Sequence, residues 1–272
     1  MAEDNWEAIN FMLANSNLSG LHISDIVHNL STQKATVTRI TPVLSAHLLE
    51  AFLKQVQQFE PGSPERGWDI VFHGTPPENI PSIVSEGFKL PDQRGHSSRF
   101  RSNWGPGLYC SPFGTYSYSY GYKWKNGLGY PESRPVDADN DAPVFVCSVV
   151  RGKPFHCQRE KLRTYETLER GFDSHVSSCE NEYIVFNRYR LLPLCLLWIR
   201  KDIEQLYFQN HKPLAAGTGT SADREVIVQT AIKAGKNHEG MSPKVQKKGN
   251  GRKKEQEAER TMKLLAEIGF RT

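Results

Sequence analysis

Three stretches of this 272-residue chain hold side chains that could do chemistry, and they lie far apart in sequence. The first is His73-Gly74, directly after the apolar run Trp68-Asp69-Ile70-Val71-Phe72. A histidine at a strand end can meet a ligand while the neighbouring glycine lets backbone approach closely. The second is Gly105-Pro106-Gly107-Leu108-Tyr109, followed by Ser111-Pro112-Phe113-Gly114-Thr115-Tyr116-Ser117-Tyr118-Ser119-Tyr120. Ser111 with Pro112 predicts a capped helix start, on which Ser117 and Tyr120, three apart, share a face. A hydroxyl beside a phenol ring, near a glycine-rich turn ending in Tyr109, suits a planar polar ligand held between rings. An ordinary aromatic core helix would read the same way, and a lone histidine is more often structural. The third stretch is Glu182-Tyr183-Ile184-Val185-Phe186, where strand alternation puts Glu182 on the face of Ile184 and Phe186. A carboxylate on an apolar face is costly unless it lines a cleft or is paired. Glu182 is therefore the strongest candidate for chemistry, with a buried salt bridge as its structural alternative.

Strands must hold these groups, and the strand signals fall between residues 35 and 205. Val37 to Ile40 is short and β-branched; Val144 to Val150, Tyr183 to Phe186 and Leu191 to Ile199 are apolar on both faces, as core strands are. Ser45 is placed to cap a helix carrying Leu48, Leu49, Phe52 and Val56 on one stripe. Thr75-Pro76-Pro77-Glu78 has the spacing of a capping box, opening a helix with Ile80, Ile83 and Val84 that Gly87 stops. Residues 1–34 carry two short amphipathic patterns, Trp6/Ile9/Leu13 and Ile23/Ile26/Val27, read as an N-terminal helical arm. Beyond 206 the pattern decays through the linker-like stretch 215–221 into a polar, basic tail, with a terminal helix expected over Glu255 to Ile268. The fold class is α+β.

Composition narrows the function. A mean hydropathy of −0.55, with no apolar run near the roughly 20 residues that span a bilayer, argues against a membrane protein. The acidic start lacks a signal-peptide core, so an intracellular protein, nuclear or cytoplasmic, is expected. Five cysteines without a Cys-x-x-Cys pair support neither a zinc site nor a disulfide framework, and no metal is expected. They read as reduced, mostly buried thiols. Lys244, Lys247, Lys248, Arg252, Lys253 and Lys254 lie within eleven acid-free residues, a run whose charge exceeds the chain's net +4. It reads as a nuclear signal, a solubilising extension or a weak nucleic-acid contact at 244–254. Phosphate-loop, dinucleotide-fingerprint, Gly-x-Ser-x-Gly and His-Glu-x-x-His motifs are absent.

In order, His73-Gly74-Thr75, Gly107-Leu108-Tyr109, Tyr116-Ser117 through Tyr120, Asn181 to Phe186 and Leu192-Pro193 resemble the catalytic domain of the poly(ADP-ribose) polymerase (PARP) superfamily. Ser117 and Tyr120 follow Tyr109 by eight and eleven residues, the family's offsets. The resemblance covers about 35–205 and implies two packed, mostly antiparallel sheets with flanking helices around a cleft for NAD+, the co-substrate. It implies that His73 binds the adenosine-side ribose and that the Gly74 backbone, within His73-Gly74-Thr75, holds the nicotinamide amide. Ser117 would bond that amide too, with Tyr109 and Tyr120 on either side of the ring. Glu182 would bind the 2′-hydroxyl of the nicotinamide ribose, and Arg94, His96, Arg99 and Arg101 would lie near the pyrophosphate. The expected activity is ADP-ribosyl transfer to a protein acceptor. The short stretch from Tyr109 to Glu182, and the lack of room before residue 35 for a helical regulatory domain, resemble mono-transferases. Polymer-forming members carry the same His-Tyr-Glu set. Glu180-Asn181-Glu182 also satisfies the Glu-x-Glu pattern of arginine-specific transferases, against which His73-Gly74 argues. An inactive NAD-binding adapter and an RNA 2′-phosphotransferase, whose His-His-Arg set is not assembled here, complete the alternatives.

Overall fold

In a computed structural model, which describes residues 2–91, 104–118, 120, 141–158, 165–201, 256, 259–260 and 263–264, the most apolar runs become the inner strands of a sheet. Eight strands are described: β1 Ala35–Pro42, β2 Asp69–Gly74, β3 Leu108–Cys110, β4 Ala142–Val149, β5 Pro154–His156, β6 Ser174–Val176, β7 Tyr183–Val185 and β8 Leu191–Lys201. They form one sheet in the order β1-β8-β4-β2 and a second in the order β3-β7-β6-β5. Every pairing is antiparallel except β5 with β6. The mixed α+β architecture with two mostly antiparallel sheets is as the sequence led one to expect.

Alternation along the strands sorts the apolar side chains into layers. Ile70 and Phe72 of β2, and Val144 and Val146 of β4, face a first core with the helices α1 Ala2–Ala14, α2 Ile23–Thr32 and α3 Ala46–Val56. Their neighbours Val71, Phe145, Cys147 and Val149 meet Leu108, Cys110 and Val185 of the second sheet in a second core between the sheets. A smaller cluster of Trp104, Cys157, Tyr165 and Ile184 lies on the other side of β7. Phe52, Phe72 and Phe145 are buried completely or nearly so; full burial of a side chain of this kind contributes about 1.5–3 kcal/mol.

Proline in a central strand removes a ladder hydrogen bond, and β8 accommodates Pro193 with a bulge. The register steps from Val146↔Cys195 to Cys147↔Pro193, skipping Leu194. The carbonyl of the skipped residue accepts instead from the N–H groups of Val43 and Leu44. α1 and α2 bury Ile9, Met12, Leu13, Ile26 and Leu30 in the same core as β1, β4 and β8. The Trp68 indole N–H donates to the Met12 carbonyl at 2.9 Å, fixing this segment against the start of β2.

Local start signals were less faithful than periodicity. Ser45 stands at the N-cap of α3, but its hydroxyl pairs with His47 Nδ1 instead of capping. The Thr75 capping box does not form. A 3-10 turn over Pro77–Asn79 precedes α4 (Ile80–Glu86), and Asn79 Nδ2 donates to Thr75 Oγ1 at 3.2 Å. Gly87 ends α4 as expected, at φ +76°. Of the expected terminal helix, described residues 256, 259–260 and 263–264 are helical; Leu264 packs on the first core and Arg260 pairs with Glu50. Arg94, His96, Arg99, Arg101, the linker 215–221 and the basic run 244–254 lie outside the described residues. No helix among the described residues is long and apolar enough to cross a membrane. Cys110, Cys147, Cys157 and Cys195 are buried and Cys179 is exposed, all as free thiols.

Candidate active site

The site begins at the end of β2, where alternation turns His73 to the same side as Val71. Its ring meets Phe88 edge-on at 4.7 Å, and its Nδ1 lies 2.8 Å from the Tyr109 carbonyl. A carbonyl only accepts, so Nδ1 carries the proton. The two strand ends are drawn together just before this point by a bridge between Phe72 and Ser111. Phe72 N–H donates to the Ser111 carbonyl at 2.7 Å, and Ser111 N–H returns the bond at 2.9 Å.

That bridge overturns one expectation. Ser111 does not start a helix at Pro112: its hydroxyl accepts from Phe113 N–H at 3.0 Å as a cap's would, but its carbonyl is taken by Phe72, and the first bonds of the helix run to the Phe113 carbonyl. The helix α5 starts later, Gly114–Tyr118. It lies over β2 through the Ser117 hydroxyl, which donates to the Phe72 carbonyl at 3.0 Å. The same helix leans on α2 from behind, where Thr115 Oγ1 donates to Gln33 Oε1 at 2.9 Å. Gly114 belongs here because a Cβ would sit 2.7 Å from Leu30 Cδ2.

Gly74 is the closest approach in the site. A Cβ on it would lie 1.7 Å from the Ser117 carbonyl oxygen and 3.0 Å from Tyr120 Cβ. The Ser117 carbonyl and the Tyr120 Cβ thus both approach Gly74, although α5 stops at Tyr118. Since Phe72 turns its N–H and C=O away from β4 to meet Ser111, Gly74, two residues on, presents its own on that same outer edge. Thr75 is buried, its hydroxyl turned to Asn79.

Glu182 immediately precedes β7, on the side of Ile184 and Phe186 as alternation predicts. A tight turn fixes it: its N–H donates to Ser177 Oγ at 3.0 Å, and its carbonyl accepts from Ser177 N–H at 2.9 Å. Glu180, inside the turn, takes φ +57°. The Glu182 carboxylate accepts from the Trp104 indole Nε1–H at 3.0 Å and from the Tyr116 hydroxyl. The Tyr116 and Tyr120 hydroxyls are hydrogen-bonded to each other, and the two rings are 5.9 Å apart. Trp104 N–H donates to the Tyr109 hydroxyl at 3.0 Å, and that hydroxyl donates to the Gly105 carbonyl at 3.0 Å.

Those bonds form a chain from His73 through Tyr109, Trp104, Glu182 and Tyr116 to Tyr120, whose Cβ lies close to Gly74. Burial pushes the Glu182 carboxyl above its ordinary value, opposed by the bonds from Tyr116 and Trp104. Burial, and then the charge of Glu182, hold the Tyr116 and Tyr120 phenols up, so both remain proton donors. The thiols are kept protonated by the same cause: Cys157 is pushed up to about 11, and Cys110, Cys147 and Cys195 well above their ordinary value. The chemistry on offer is a shielded carboxylate able to accept from a sugar hydroxyl and to stabilise positive charge forming beside it. Among the described residues, no group of three or more His, Cys, Asp or Glu could hold a metal ion.

Sequence reasoning named His73, Gly74, Thr75, Tyr109, Ser117, Tyr120 and Glu182; the fold brings these into one neighbourhood, with the Thr75 hydroxyl buried and turned to Asn79. It missed Tyr116 and Trp104. Tyr116 had a usable signal, since it lies four residues before Tyr120 and next to Ser117. Trp104 had none, its partner being 78 residues away.

The description of the poly(ADP-ribose) polymerase catalytic domain matches residues 23–181 of the chain, more than half its length. The match starts at the first residue of α2 and takes in His73, Gly74, Thr75, Tyr109, Ser117 and Tyr120. It ends one residue before Glu182. A comparison with curated proteins gave no match. Domains of the matched family use NAD+ as co-substrate and are ADP-ribosyltransferases. The span of the match, with the two-sheet architecture beneath it, places the chain in the poly(ADP-ribose) polymerase catalytic-domain family.

Proposed function

We propose that the protein is a mono-ADP-ribosyltransferase that breaks the nicotinamide–ribose bond of NAD+ and joins ADP-ribose to a protein side chain. The observation that carries this reading is the Glu182 carboxylate, half-buried between the Trp104 indole and the Tyr116 phenol. Residues nearby suit the donor. The outer edge of Gly74 offers a backbone donor and acceptor for a carboxamide, and Ser117 Oγ, which donates to Phe72, keeps lone pairs for an amide N–H. Tyr120 is 37 % exposed, enough ring to stack on a planar group. His73 would hold the adenosine-side ribose, with Tyr109 lining the ring's other side.

In the reaction, nicotinamide leaves with the electron pair of the C1′–N bond and becomes neutral, while positive charge spreads over C1′ and the ring oxygen. Glu182 accepts from the ribose 2′-hydroxyl and places its negative charge beside that developing cation. A lone pair of the acceptor side chain forms the new bond to C1′, and the acceptor's proton is released. The preference for a single addition rests on the short stretch between Tyr109 and Glu182.

Incubation with labelled NAD+, wild type beside Glu182→Ala, tests the reading. The wild type is expected to label itself or an added protein with a single unit, and the variant to lose at least 100-fold of that rate, on the order of a lost transition-state contact. A long ladder on gels would refute single addition. An inert wild type that still binds NAD+ would make the protein an adapter.

A further inference from the structure

Behind Glu182 runs a buried hydrogen-bond chain that the reaction just described does not use. Trp104 is 6 % exposed and is tied at three points: its amide to the Tyr109 hydroxyl, its indole to Glu182, and its carbonyl to His175 Nδ1 at 2.7 Å. His175, on β6, is fully buried. Its Nε2 lies 3.0 Å from the backbone N–H of Glu169. A backbone N–H can only donate and a carbonyl can only accept, so Nε2 is the bare nitrogen and Nδ1 carries the proton. Only the neutral Nδ1–H tautomer satisfies both partners.

Rotation of that ring is blocked on several sides. Phe186, Phe155 and Tyr165 stand 4.8, 5.5 and 5.6 Å from it, all tilted or edge-on. The turn it grips is equally tight. Gly105 takes φ +116°, and a Cβ there would lie 2.9 Å from the Phe186 ring and 3.4 Å from His175 Nδ1. The backbone that carries the indole is thus fixed, and the indole points at Glu182.

We propose that Trp104, locked in place by His175, is a positioning residue: its indole N–H fixes Oε2 of Glu182 and so orients the carboxylate toward substrate. A group that acts on a reacting centre gains from such a supporting contact, because misplacement by even an ångström is costly. The activity arm of the test rests on the transferase reading; the spectroscopic arm does not.

The experiment uses the full chain, labelled with nitrogen-15. The Trp104 indole resonance is identified by its loss in Trp104→Phe, which keeps an aromatic ring and removes the donor. The indoles of Trp6, Trp68 and Trp198 report whether each variant is folded. In the wild type the Trp104 resonance is expected to shift with pH through one transition, and in Glu182→Gln to stop shifting. Trp104→Phe removes a donor to the charged carboxylate, so the acid limb of the kcat profile moves to higher pH. On that limb kcat falls about tenfold, as for one unit of displacement, while KM for NAD+ stays within about twofold. His175→Leu, which frees the Trp104 carbonyl, lowers kcat similarly; His175→Asn, keeping an N–H on the same branch, recovers most of it. A silent Trp104 resonance or an unmoved acid limb in an active Trp104→Phe would overturn the proposal, as would equal losses in the folded Leu and Asn variants. A wild type inert toward NAD+ whose Trp104 resonance still titrates with Glu182 would sink the transferase reading and leave the positioning role standing.

Discussion

Replacing Gly74 with alanine tests how the site is assembled more sharply than removing any of its functional groups. The added Cβ would lie 1.7 Å from the Ser117 carbonyl oxygen, and real Cβ atoms essentially never come within 3.0 Å of another heavy atom. The carbonyl must retreat by at least the difference, about 1.3 Å. It has little room, because Thr115 is bonded to Gln33, Gly114 is pressed against Leu30, and Tyr118 is fully buried. Either α5 moves and carries Ser117, Tyr116 and Tyr120 with it, or β2 moves and carries His73. A misplacement near 1 Å costs roughly 100-fold in rate, and overpacking of this kind about 1–3 kcal/mol. The assay is release of labelled nicotinamide at saturating NAD+, beside urea unfolding of the same preparation. Ser117→Ala is the comparison: it deletes the hydroxyl bond to Phe72 without adding an atom, and is expected to lose less rate than Gly74→Ala. Activity of Gly74→Ala within tenfold of wild type, with unchanged stability, would refute the claim that α5 and β2 are rigidly apposed.

Two further outcomes can be stated. Burial holds the Glu182 carboxyl above its ordinary value near 4.5, so the native chain binds more protons than the unfolded one between those two values, and stability falls as pH rises through them. Glu182→Gln lacks that slope, so it is expected to melt higher than wild type above the folded-state pKa, with the gap closing below about pH 4.5. Melting curves that stay parallel across pH 4–8 would contradict this. The Arg190 guanidinium, its side chain 11 % exposed, meets Asp173 Oδ1 at 3.0 Å, while Asp173 Oδ2 accepts from Lys153 N–H. Asp173→Ala removes the carboxylate and leaves that guanidinium the Asp173 carbonyl at 3.3 Å and the face of Phe59; it is expected to cost about 2 kcal/mol, below a fully buried pair because Asp173 is partly exposed. Urea titration measures it, and a loss under 0.5 kcal/mol would show that Arg190 finds another partner.

Strands and the carboxylate were legible in the sequence because burial writes itself into local patterns. Val144 to Val150 and Leu191 to Ile199 are apolar on both faces because each is covered by a helix layer and a second sheet. Glu182 stood out as the charged residue that such alternation cannot explain. What the sequence concealed depends on distant partners. Ser111 reads as a helix cap until Phe72 claims its backbone, and Thr75 reads as one until the two prolines tighten the next turn into a 3-10 form. Trp104 is an unremarkable residue beside Gly105 unless His175 and Glu182 are both in place. Gly74 was read as room for a ligand, and it is at least equally room for Ser117. The N-terminal arm shows a related effect: its amphipathic spacing was plain, but spacing alone could not show that Gln33 and Leu30 brace α5.

Order of synthesis gives the first sheet a further property. β8, last in the chain of the eight described strands, lies between β1 and β4, so partners separated by more than a hundred residues wait for it. Until Lys201 has left the ribosome, β1 has no neighbour in the sheet and β4 lacks one of its two. The nascent chain can therefore pair β2 with β4 and close the second sheet, while the edges of β4 and β1 that β8 will cover stay open for some time. Non-local closure of this kind is slow and aggregation-prone. The last of the eight described strands acts as the keystone, and a ribosome stalled inside residues 191–201 would release an exposed sheet edge, a substrate for chaperones.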